Sequence, residues 1–402
     1  MIRLKQYVLI AFFSVSESLF GQALFSAKTD FTTGERPISV CIGDLNGDSR
    51  PDIVVVNYMS NTVSVFLNTT SPGAMVPSFS TKTDVITGER PMSVSLGDFN
   101  GDGKPDLAVA DYNSNTVSLI LNTTASGDPI PSFSNRIDLG TGERPISVAV
   151  GDLNGDGKPD LAVVNYKSST ISVFLNTTVP GSSTPSFAPR KDFTTGDRPV
   201  SVSIRDLNGD AKPDLAVVNY RSNTVSIFLN TTVPGIVVPS FLSKIDFITG
   251  ERPISVAIGD LNGDGKPDLA VANYGSNTVS TFLNATASRS TSISFSRRTE
   301  IATGLNPQFI CLKDLNGDGR LDISVANYNS ATVSVWLNTT AQGDTTFSFS
   351  TKKELTTGTA PSSISIGDLN GDGKPDLTLT NYGSNTVSVF LNKTASENLH
   401  AK

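Results

Sequence analysis

The chain has 402 residues, of which 38% are hydrophobic and 17% are charged, and its formal net charge is −7. This hydrophobic content excludes wholesale disorder, and an acidic chain without a basic run excludes a protein that tracks nucleic-acid phosphates. Frequent glycine (33) and proline (22), without long helical periodicity, favour an all-β fold of short strands joined by tight turns.

Residues 1–23 are predicted to be a secretory signal peptide. Arg3 and Lys5 precede an apolar run over residues 7–15, and Gly21 and Ala23 supply the small residues of a cleavage site. No later segment of the sequence is long and apolar enough to span a bilayer. We therefore expect a secreted, extracellular protein without a membrane span.

An acidic motif of the form D-x-N-x-D-x-x-x-D recurs seven times at a constant interval of 54 residues. Its copies begin at Asp44, Asp98, Asp152, Asp206, Asp260, Asp314 and Asp368. Self-similarity at a fixed period predicts a repeat architecture, in which each unit buries its core against its neighbours.

Each repeat is predicted to form four short antiparallel strands. In the third copy these span Ile146–Leu153, Asp160–Tyr166, Ile171–Asn176 and Ser186–Phe193, with the acidic motif between the first two strands. Such a unit is one blade, so the seven repeats predict a seven-bladed β-propeller over residues 24–395, followed by a tail at 396–402.

The two ends of the repeat region predict how the ring closes. The last repeat lacks an outer strand, whereas Leu24–Phe31 matches an outer strand and precedes the first repeat. We expect Leu24–Phe31 to complete the seventh blade, because this leaves no exposed sheet edge. The competing fold, an open β-solenoid, would not need this borrowed strand.

The acidic motif indicates a calcium loop. Ca²⁺ takes about six to eight oxygen ligands, and positions 1, 3, 5 and 9 of the motif offer side-chain oxygens while position 7 offers a backbone carbonyl. No Cys or His occurs within the motif, which disfavours zinc and copper. We expect up to seven Ca²⁺ ions, one per blade. The candidate ligands, blade by blade, are Asp44, Asn46, Asp48, Arg50 and Asp52; Asp98, Asn100, Asp102, Lys104 and Asp106; Asp152, Asn154, Asp156, Lys158 and Asp160; Asp206, Asn208, Asp210, Lys212 and Asp214; Asp260, Asn262, Asp264, Lys266 and Asp268; Asp314, Asn316, Asp318, Arg320 and Asp322; and Asp368, Asn370, Asp372, Lys374 and Asp376.

The acidic motif has two alternative interpretations. EF-hand and dockerin loops begin with the same spacing, but there a helix follows; here the strand-like "DLAVVNY" follows and position 12 is not Glu, so an EF-hand is rejected. An ion-free Asp/Asn/Gly hairpin stays open. Ser49 and Ala211 replace Gly at position 6, and Leu321 replaces Pro at position 8. We expect a Cβ to fit poorly at position 6, where glycines such as Gly103 and Gly157 are able to adopt positive φ.

The acidic loop within a sevenfold blade repeat resembles the FG-GAP/VCBS repeats of integrin alpha-subunit propellers and related secreted bacterial and fungal propellers. The resemblance spans about Leu24–Asn392. It implies Ca²⁺ in the hairpin between the first and second strands of each blade. Asn-Tyr, as in Asn57-Tyr58, replaces the family's Gly-Ala-Pro signature, and all seven blades carry the loop. Since no inserted domain, stalk or anchor is recognisable, an integrin-like receptor role is not carried over.

Seven of the eight tyrosines recur after the second strand of a blade, at the end opposite the acidic loop. There are two interpretations: either these tyrosines pack between blades, or they form a ring that binds a sugar or peptide by stacking and hydrogen bonding. These candidate ligand-binding residues are Tyr58, Tyr112, Tyr166, Tyr220, Tyr274, Tyr328 and Tyr382.

The segments that return to each new blade break the symmetry on that same face. Five carry an acid followed by arginine, ending at Arg36, Arg90, Arg144, Arg198 and Arg252. The last two returns carry Leu305-Asn306 and Thr359-Ala360 instead, either by drift or because this sector accepts a partner. One sequon per repeat, at Asn68, Asn122, Asn176, Asn230, Asn284, Asn338 and Asn392, indicates a glycosylation site or a turn.

The sequence favours a binding or adhesion module over an enzyme. The only histidine, His400, lies in the tail, so no Ser-His-Asp or Cys-His arrangement is available. Cys41 and Cys311 occupy the same position in non-adjacent repeats, which argues against a disulfide and favours two buried apolar thiols. We expect a glycan or an extracellular protein as ligand; a secreted polysaccharide lyase or hydrolase, or a purely structural surface protein, are the alternatives.

Overall fold

A computed structural model describes residues 24–296 and 298–394, so the predicted signal peptide and tail lie outside the described residues. These residues form seven antiparallel sheets of four strands each. No helix in the described ranges is long and apolar enough to cross a membrane. The prediction of an all-β, seven-bladed propeller is confirmed.

Each blade runs from an inner to an outer strand in chain order. Blade 1 contains β2 (Pro37–Gly43), β3 (Asp52–Asn57), β4 (Thr62–Phe66) and β5 (Thr83–Ile86); blade 2 contains β6 (Pro91–Gly97), β7 (Asp106–Asp111), β8 (Thr116–Ile120) and β9 (Ile137–Gly140); blade 3 contains β10 (Pro145–Gly151), β11 (Asp160–Asn165), β12 (Thr170–Phe174) and β13 (Lys191–Thr194); blade 4 contains β14 (Pro199–Arg205), β15 (Asp214–Asn219), β16 (Thr224–Phe228) and β17 (Ile245–Ile248). Blade 5 contains β18 (Pro253–Gly259), β19 (Asp268–Asn273), β20 (Thr278–Phe282) and β21 (Thr299–Ala302); blade 6 contains β22 (Pro307–Lys313), β23 (Asp322–Asn327), β24 (Thr332–Trp336) and β25 (Lys353–Thr356); blade 7 contains β26 (Pro361–Gly367), β27 (Asp376–Asn381), β28 (Thr386–Phe390) and β1 (Thr29–Thr32).

The N-terminal strand closes the ring as predicted. Strand β1 pairs antiparallel with β28, with Thr29 opposite Val389 and Thr32 opposite Thr386. Phe25 forms an isolated antiparallel bridge with Asn392, so the segment before β1 also pairs with blade 7. Both ends of the described chain are thereby joined in one sheet.

The second strand of each blade is buried along its whole length because it packs against both neighbouring blades. In β11, Leu161 and Val163 belong to the core shared with blade 2, whereas Ala162 and Val164 belong to the core shared with blade 4. This explains why the strand has a continuous apolar run instead of alternating with polar residues.

The outermost strand is shorter than predicted. The sequence predicted Ser186–Phe193, but β13 covers Lys191–Thr194, and Phe187 makes only an isolated bridge to Asn176. Lys191 lies opposite Val173, whereas Phe187 lies opposite Asn176. Between these two pairs the outer strand contains three residues and its partner contains two, so the outer strand has one extra residue. Such a bulge interrupts the ladder, and Pro189 in this stretch has no N–H to donate.

The two cysteines are free thiols, as expected. They are half-buried rather than fully buried, and each packs against a core between two blades. Burial raises the pKa of the Cys41 thiol to about 12 and that of Cys311 to about 11, so both stay protonated at neutral pH.

The sequon asparagines hold neighbouring blades together. Asn122, with 1% of its surface exposed, donates its Nδ2–H to the carbonyl oxygen of Leu45 in blade 1 at 2.7 Å. Its Oδ1 accepts the N–H of Thr124. Across the join between the last and first blades, Asn68 makes the equivalent bond to Leu369. A glycan on Nδ2 would break this contact, so the sequon asparagines stabilise the interfaces between neighbouring blades. We call each of these interfaces a seam.

A polar relay crosses the outer three strands of a blade. In blade 3, Asn165 donates its Nδ2–H to Ser172 Oγ at 2.8 Å, and Ser172 donates its hydroxyl to Asp192 at 2.6 Å. The equivalent asparagine in blade 2 is replaced by Asp111.

This replacement leaves one hydroxyl proton for two carboxylates. Ser118 Oγ lies 2.6 Å from Asp111 Oδ2 and 2.9 Å from Asp138 Oδ1, but it can donate to only one of them. Burial raises the pKa of Asp111 to about 7; the Ser118 hydrogen bond lowers it, the charge of Asp138 raises it and that of Arg136 lowers it. Protonated Asp111 satisfies the relay and ionised Asp111 does not.

We expect Asn122→Ala to lower the free energy of unfolding by about 2 kcal/mol, because it leaves the buried Leu45 carbonyl without a partner. Urea denaturation measures this change. The adjacent Thr123→Ala removes only an exposed hydroxyl contact and should stay within about 0.5 kcal/mol of the wild type. Equal losses in the two variants would contradict a seam role for the asparagine.

We expect Asp111→Asn to remove a pH dependence of stability. A carboxyl whose pKa is raised by folding contributes stability at low pH that is lost as the pH rises from about 4 to about 7. The stability of the variant relative to the wild type should therefore increase over this window by on the order of 2–4 kcal/mol. Denaturation at several pH values measures it; Asn165→Asp should introduce the opposite trend in blade 3. A constant difference would refute the assignment.

Candidate metal loops and a tyrosine-lined cavity

Each acidic loop is shaped by its own first aspartate. In blade 3, Asp152 accepts the N–H of Asp156 at 3.1 Å through Oδ1 and the N–H of Gly157 at 2.8 Å through Oδ2. Asp156 in turn accepts the N–H of Lys158 at 3.0 Å. Positions 1 and 5 are thus oriented by backbone amides of the same loop.

The residues that replace glycine at position 6 keep the same backbone. Ser49 has a φ of 64° and Ala211 a φ of 71°, compared with 84° for Gly103. Both donate their N–H to the first aspartate of their loop at 2.8 Å, as Gly103 does. Each Cβ in this left-handed conformation costs about 1 kcal/mol but leaves the loop closed.

The aspartate at position 9 has a structural role that the sequence did not reveal. Asp160 is fully buried; its Oδ2 accepts the N–H of Leu153 at 2.7 Å and its Oδ1 that of Asn176 at 2.7 Å. Burial raises its pKa to about 7, the two hydrogen bonds lower it, and the charges of Asp156 and Asp152 raise it again. The carboxylate therefore ties the loop to the third strand of its own blade.

The next blade covers the acidic loop. The backbone carbonyl of Asn46 accepts the N–H of Gly127 at 2.6 Å. The side-chain Nδ2–H of Asn46 is donated to the backbone carbonyl of Asp128 at 3.2 Å. Asn122 holds the neighbouring Leu45 carbonyl, as described above. The same N–H contact recurs at Asn100, Asn154, Asn208, Asn262 and Asn370. The loops are therefore part of the joints between blades.

The donor atoms of these loops suit a hard cation in part. All side-chain donors are oxygens. In blade 1, Asn46 Oδ1 is buried without a hydrogen-bond partner, whereas in the six other loops the asparagine oxygen accepts the N–H of the position-5 aspartate. Within the described ranges, however, no three acidic, His or Cys side chains form a metal-holding group. A bound ion would thus require the asparagine oxygen and a backbone carbonyl besides the carboxylates.

Two loops already contain a cation. Arg50 Nη2 lies 2.5 Å from Asp48 Oδ2 in blade 1, and Arg320 makes the same ion pair with Asp318 in blade 6. Lysine occupies position 7 in the other five loops, and no ion pair between that lysine and its loop is formed within the part of the chain that the structure describes. The seven loops are therefore not equivalent.

The seven repeated tyrosines surround one cavity. It has a volume of about 560 Å³ and is lined by all seven side chains, each half-buried, together with inner-strand residues such as Ile38 and Met92. Neighbouring rings approach each other: the centroids of Tyr328 and Tyr382 are 6.2 Å apart, and those of Tyr112 and Tyr166 are 6.5 Å apart. The tyrosines both pack between blades and line a common opening.

Arginines from the following blade cover some of these tyrosines. The guanidinium carbon of Arg90 lies 4.9 Å from the ring centroid of Tyr58, and Arg90 Nη1 donates to the Tyr58 hydroxyl at 3.0 Å. The same stacking joins Arg144 to Tyr112, Arg198 to Tyr166 and Arg36 to Tyr382, at 5.3–5.4 Å. We call Arg36, Arg90, Arg144, Arg198 and Arg252 the rim arginines.

Sequence reasoning found the tyrosines and the asymmetry of the returns but missed that the two features meet. The signal was present, since the arginines recur at the same 54-residue interval as the tyrosines. What the spacing did not show is that four of the five rim arginines stack on the tyrosine of the preceding blade, a contact that depends on the curvature of the ring.

Comparison with known proteins identifies the repeat. The family described as FG-GAP-like repeat matches residues 44–109, 98–163, 152–217, 206–271 and 314–379. A T-cell immunomodulatory protein homolog of Plasmodium yoelii yoelii is 26% identical over 263 residues, which cover 57% of this chain and 37% of the relative. The homolog of Plasmodium falciparum (isolate 3D7) is 24% identical over 270 residues, covering 57% and 36%. The match thus spans little more than a third of these longer proteins.

Solved structures share the fold at low identity. BBS1N in complex with ARL6DN, soaked with mercury, has a TM-score of 0.61 and 11% identity, covering 94% of this chain and 99% of that chain. A catalytically inactive virginiamycin B lyase from Staphylococcus aureus with quinupristin has a TM-score of 0.55 and 9% identity, covering 92% and 100%. Likeness at this identity establishes the propeller architecture alone.

Proposed function

The chain belongs to the FG-GAP-like repeat family, and from this premise we propose that it is a secreted binding module. Its acidic loops hold Ca²⁺ and its tyrosine-lined face receives an extracellular ligand, a glycan or a protein. The observation that carries the proposal is the single cavity of about 560 Å³ bordered by seven tyrosines. Aromatic faces beside fixed polar groups are typical of surfaces that bind ligands.

The proposed role of Ca²⁺ is structural. The ion would be held by the side-chain oxygens at positions 1, 3, 5 and 9 and the carbonyl at position 7, and it would neutralise carboxylates that repel each other. Because Asn46 and Leu45 also bond to blade 2, a change in this loop is transmitted to the seam between blades. In this proposal the loop residues stabilise the ring and take no part in catalysis.

A binding role is favoured over catalysis because the described residues include no histidine, and the polar groups around the cavity repeat from blade to blade. A secreted lyase or hydrolase is the competing function, with the rim arginines as its candidate polar groups. The T-cell immunomodulatory role named for the Plasmodium relatives belongs to those longer proteins.

We expect Ca²⁺ to bind in two classes. Metal-free protein titrated with Ca²⁺ in a calorimeter should show five tighter sites and two weaker ones, because Arg50 and Arg320 already occupy a carboxylate oxygen. A site with a Kd of about 10⁻⁴ M would add about 1.4 kcal/mol of stability at about 1 mM Ca²⁺. Asp156→Ala should remove one tight site, whereas Arg50→Lys should convert a weak site into a tight one. Neither heat nor a rise in melting temperature on adding Ca²⁺ would overturn the proposed metal role.

We expect ligand binding to depend on the tyrosine ring. Residues 24–402, loaded with Ca²⁺, would be screened on glycan arrays and against extracellular proteins. Tyr274→Ala should weaken any specific binding by about tenfold or more, since an aromatic stacking contact is lost. Tyr274→Phe keeps the ring and serves as the matched control. Binding that survives Tyr274→Ala, or cleavage of a uronate polymer that requires rim arginines, would contradict this function.

A further inference from the structure

One seam of the tyrosine-lined face lacks the backbone hydrogen bond that joins the blades at the six other seams of the described chain. In blade 2, the N–H of Arg90 donates to Asn61 of blade 1 at 2.8 Å, while the side chain of Arg90 covers Tyr58. In the seam between blades 6 and 7, Ala331 replaces the asparagine and Ala360 replaces the arginine. Both halves of the contact are absent from the same seam.

The two alanines leave specific groups open. Ala360 keeps the left-handed backbone of the rim arginines, with a φ of 58° compared with 55° for Arg90. Its N–H has no acceptor among the described residues, although the residue is 92% buried (8% exposed). Within the described ranges, no guanidinium stacks on the ring of Tyr328, Tyr220 or Tyr274. In the seams of Tyr220 and Tyr274, however, Arg252 and Asn306 donate their backbone N–H to an asparagine of the preceding blade.

A depression of about 530 Å³ marks this place. It is lined by Tyr328, Tyr382, Ala360, Thr359, Glu35 and Arg36, among others, and it adjoins the central cavity at the two tyrosines. We call it the notch. Glu35 is exposed at its edge and, like Glu89 and Glu251, forms no ion pair within the described residues; of the five equivalent acids, only Glu143 and Asp197 are paired.

We propose that the notch is a binding site for the side chain of an arginine presented by a protein ligand. In four seams a guanidinium stacks on the tyrosine ring, and in three of these it also donates to the hydroxyl. The guest guanidinium would take this place over Tyr328. The Ala360 N–H would meet a backbone carbonyl of the same ligand, and Glu35 would supply the counter-charge. This assignment rests on the proposed use of the tyrosine-lined face and names the ligand chemistry for it.

Arg36 does not prevent a second cation from binding there. Its guanidinium already lies over Tyr382 and donates to that hydroxyl at 3.2 Å. In the preceding seams, Arg90 and Arg144 cover successive tyrosines at the same one-blade interval. A guest guanidinium over Tyr328 would therefore repeat a spacing that the ring already contains. A guanidinium suits the site better than an ammonium, because it is planar and stacks while it donates.

The test uses Nα-acetyl-arginine amide as probe and Nα-acetyl-citrulline amide as its uncharged isostere. Protein with isotope-labelled tyrosine would be titrated by NMR, with the Tyr328 signal assigned from Tyr328→Phe. We expect a saturable shift of Tyr328 with arginine and at least about fivefold weaker binding of citrulline. Ala360→Arg should abolish the shift and raise the melting temperature, because the protein then fills its own notch.

A second variant tests the reasoning in the opposite direction. Asn61→Ala combined with Arg90→Ala recreates the notch over Tyr58, so a second saturable site should appear there. Absence of saturable binding in the wild type, equal binding of citrulline, or no effect of Ala360→Arg would overturn the proposal. Binding of N-acetylglucosamine at Tyr328 in place of arginine would also overturn it, yet leave the proposed ligand face intact.

Discussion

The seam between consecutive blades is the constraint on which this propeller depends. A single four-stranded blade cannot bury both faces, so each second strand needs a neighbour on either side. The alternate residues of β11 divide between two cores for this reason. At the acidic end of the seam, the buried amide of Asn122 fixes the Leu45 carbonyl of the preceding blade. Apolar packing supplies the driving force, and these hydrogen bonds fix how the blades are positioned.

The acidic loops combine two roles within a few residues. Asp160 is held by two backbone amides and joins the loop to its own blade, while Asn46 and its equivalents meet the next blade. Burial, together with the charges of Asp156 and Asp152, raises the pKa of Asp160, which is a cost of keeping that carboxylate ionised. Arginine at position 7 pairs with the position-5 aspartate in two loops, and in the other five a bound cation would supply that positive charge.

Near-perfect repetition makes the exceptions informative. Most substitutions between blades preserve the backbone, as Ser49 and Ala211 show at position 6. Asp111 changes the protonation of a buried relay, and Ala331 with Ala360 opens one seam of the tyrosine-lined face. Because a ring of equal blades offers the same surface seven times, a distinct site requires such a departure.

The sequence by itself determined the number of blades, their strand order, the closing strand and the acidic loops. These follow from a constant 54-residue period and from local alternation, which are properties of the chain. It placed the tyrosines on one face but left their role open, and it made the outer strand too long because a one-residue bulge has no local signature. Only the tertiary structure decided that Asn122 is a seam residue and that Arg90 covers a tyrosine of the preceding blade. Both contacts join residues far apart in the chain, and they exist because the ring curves each blade onto its neighbour.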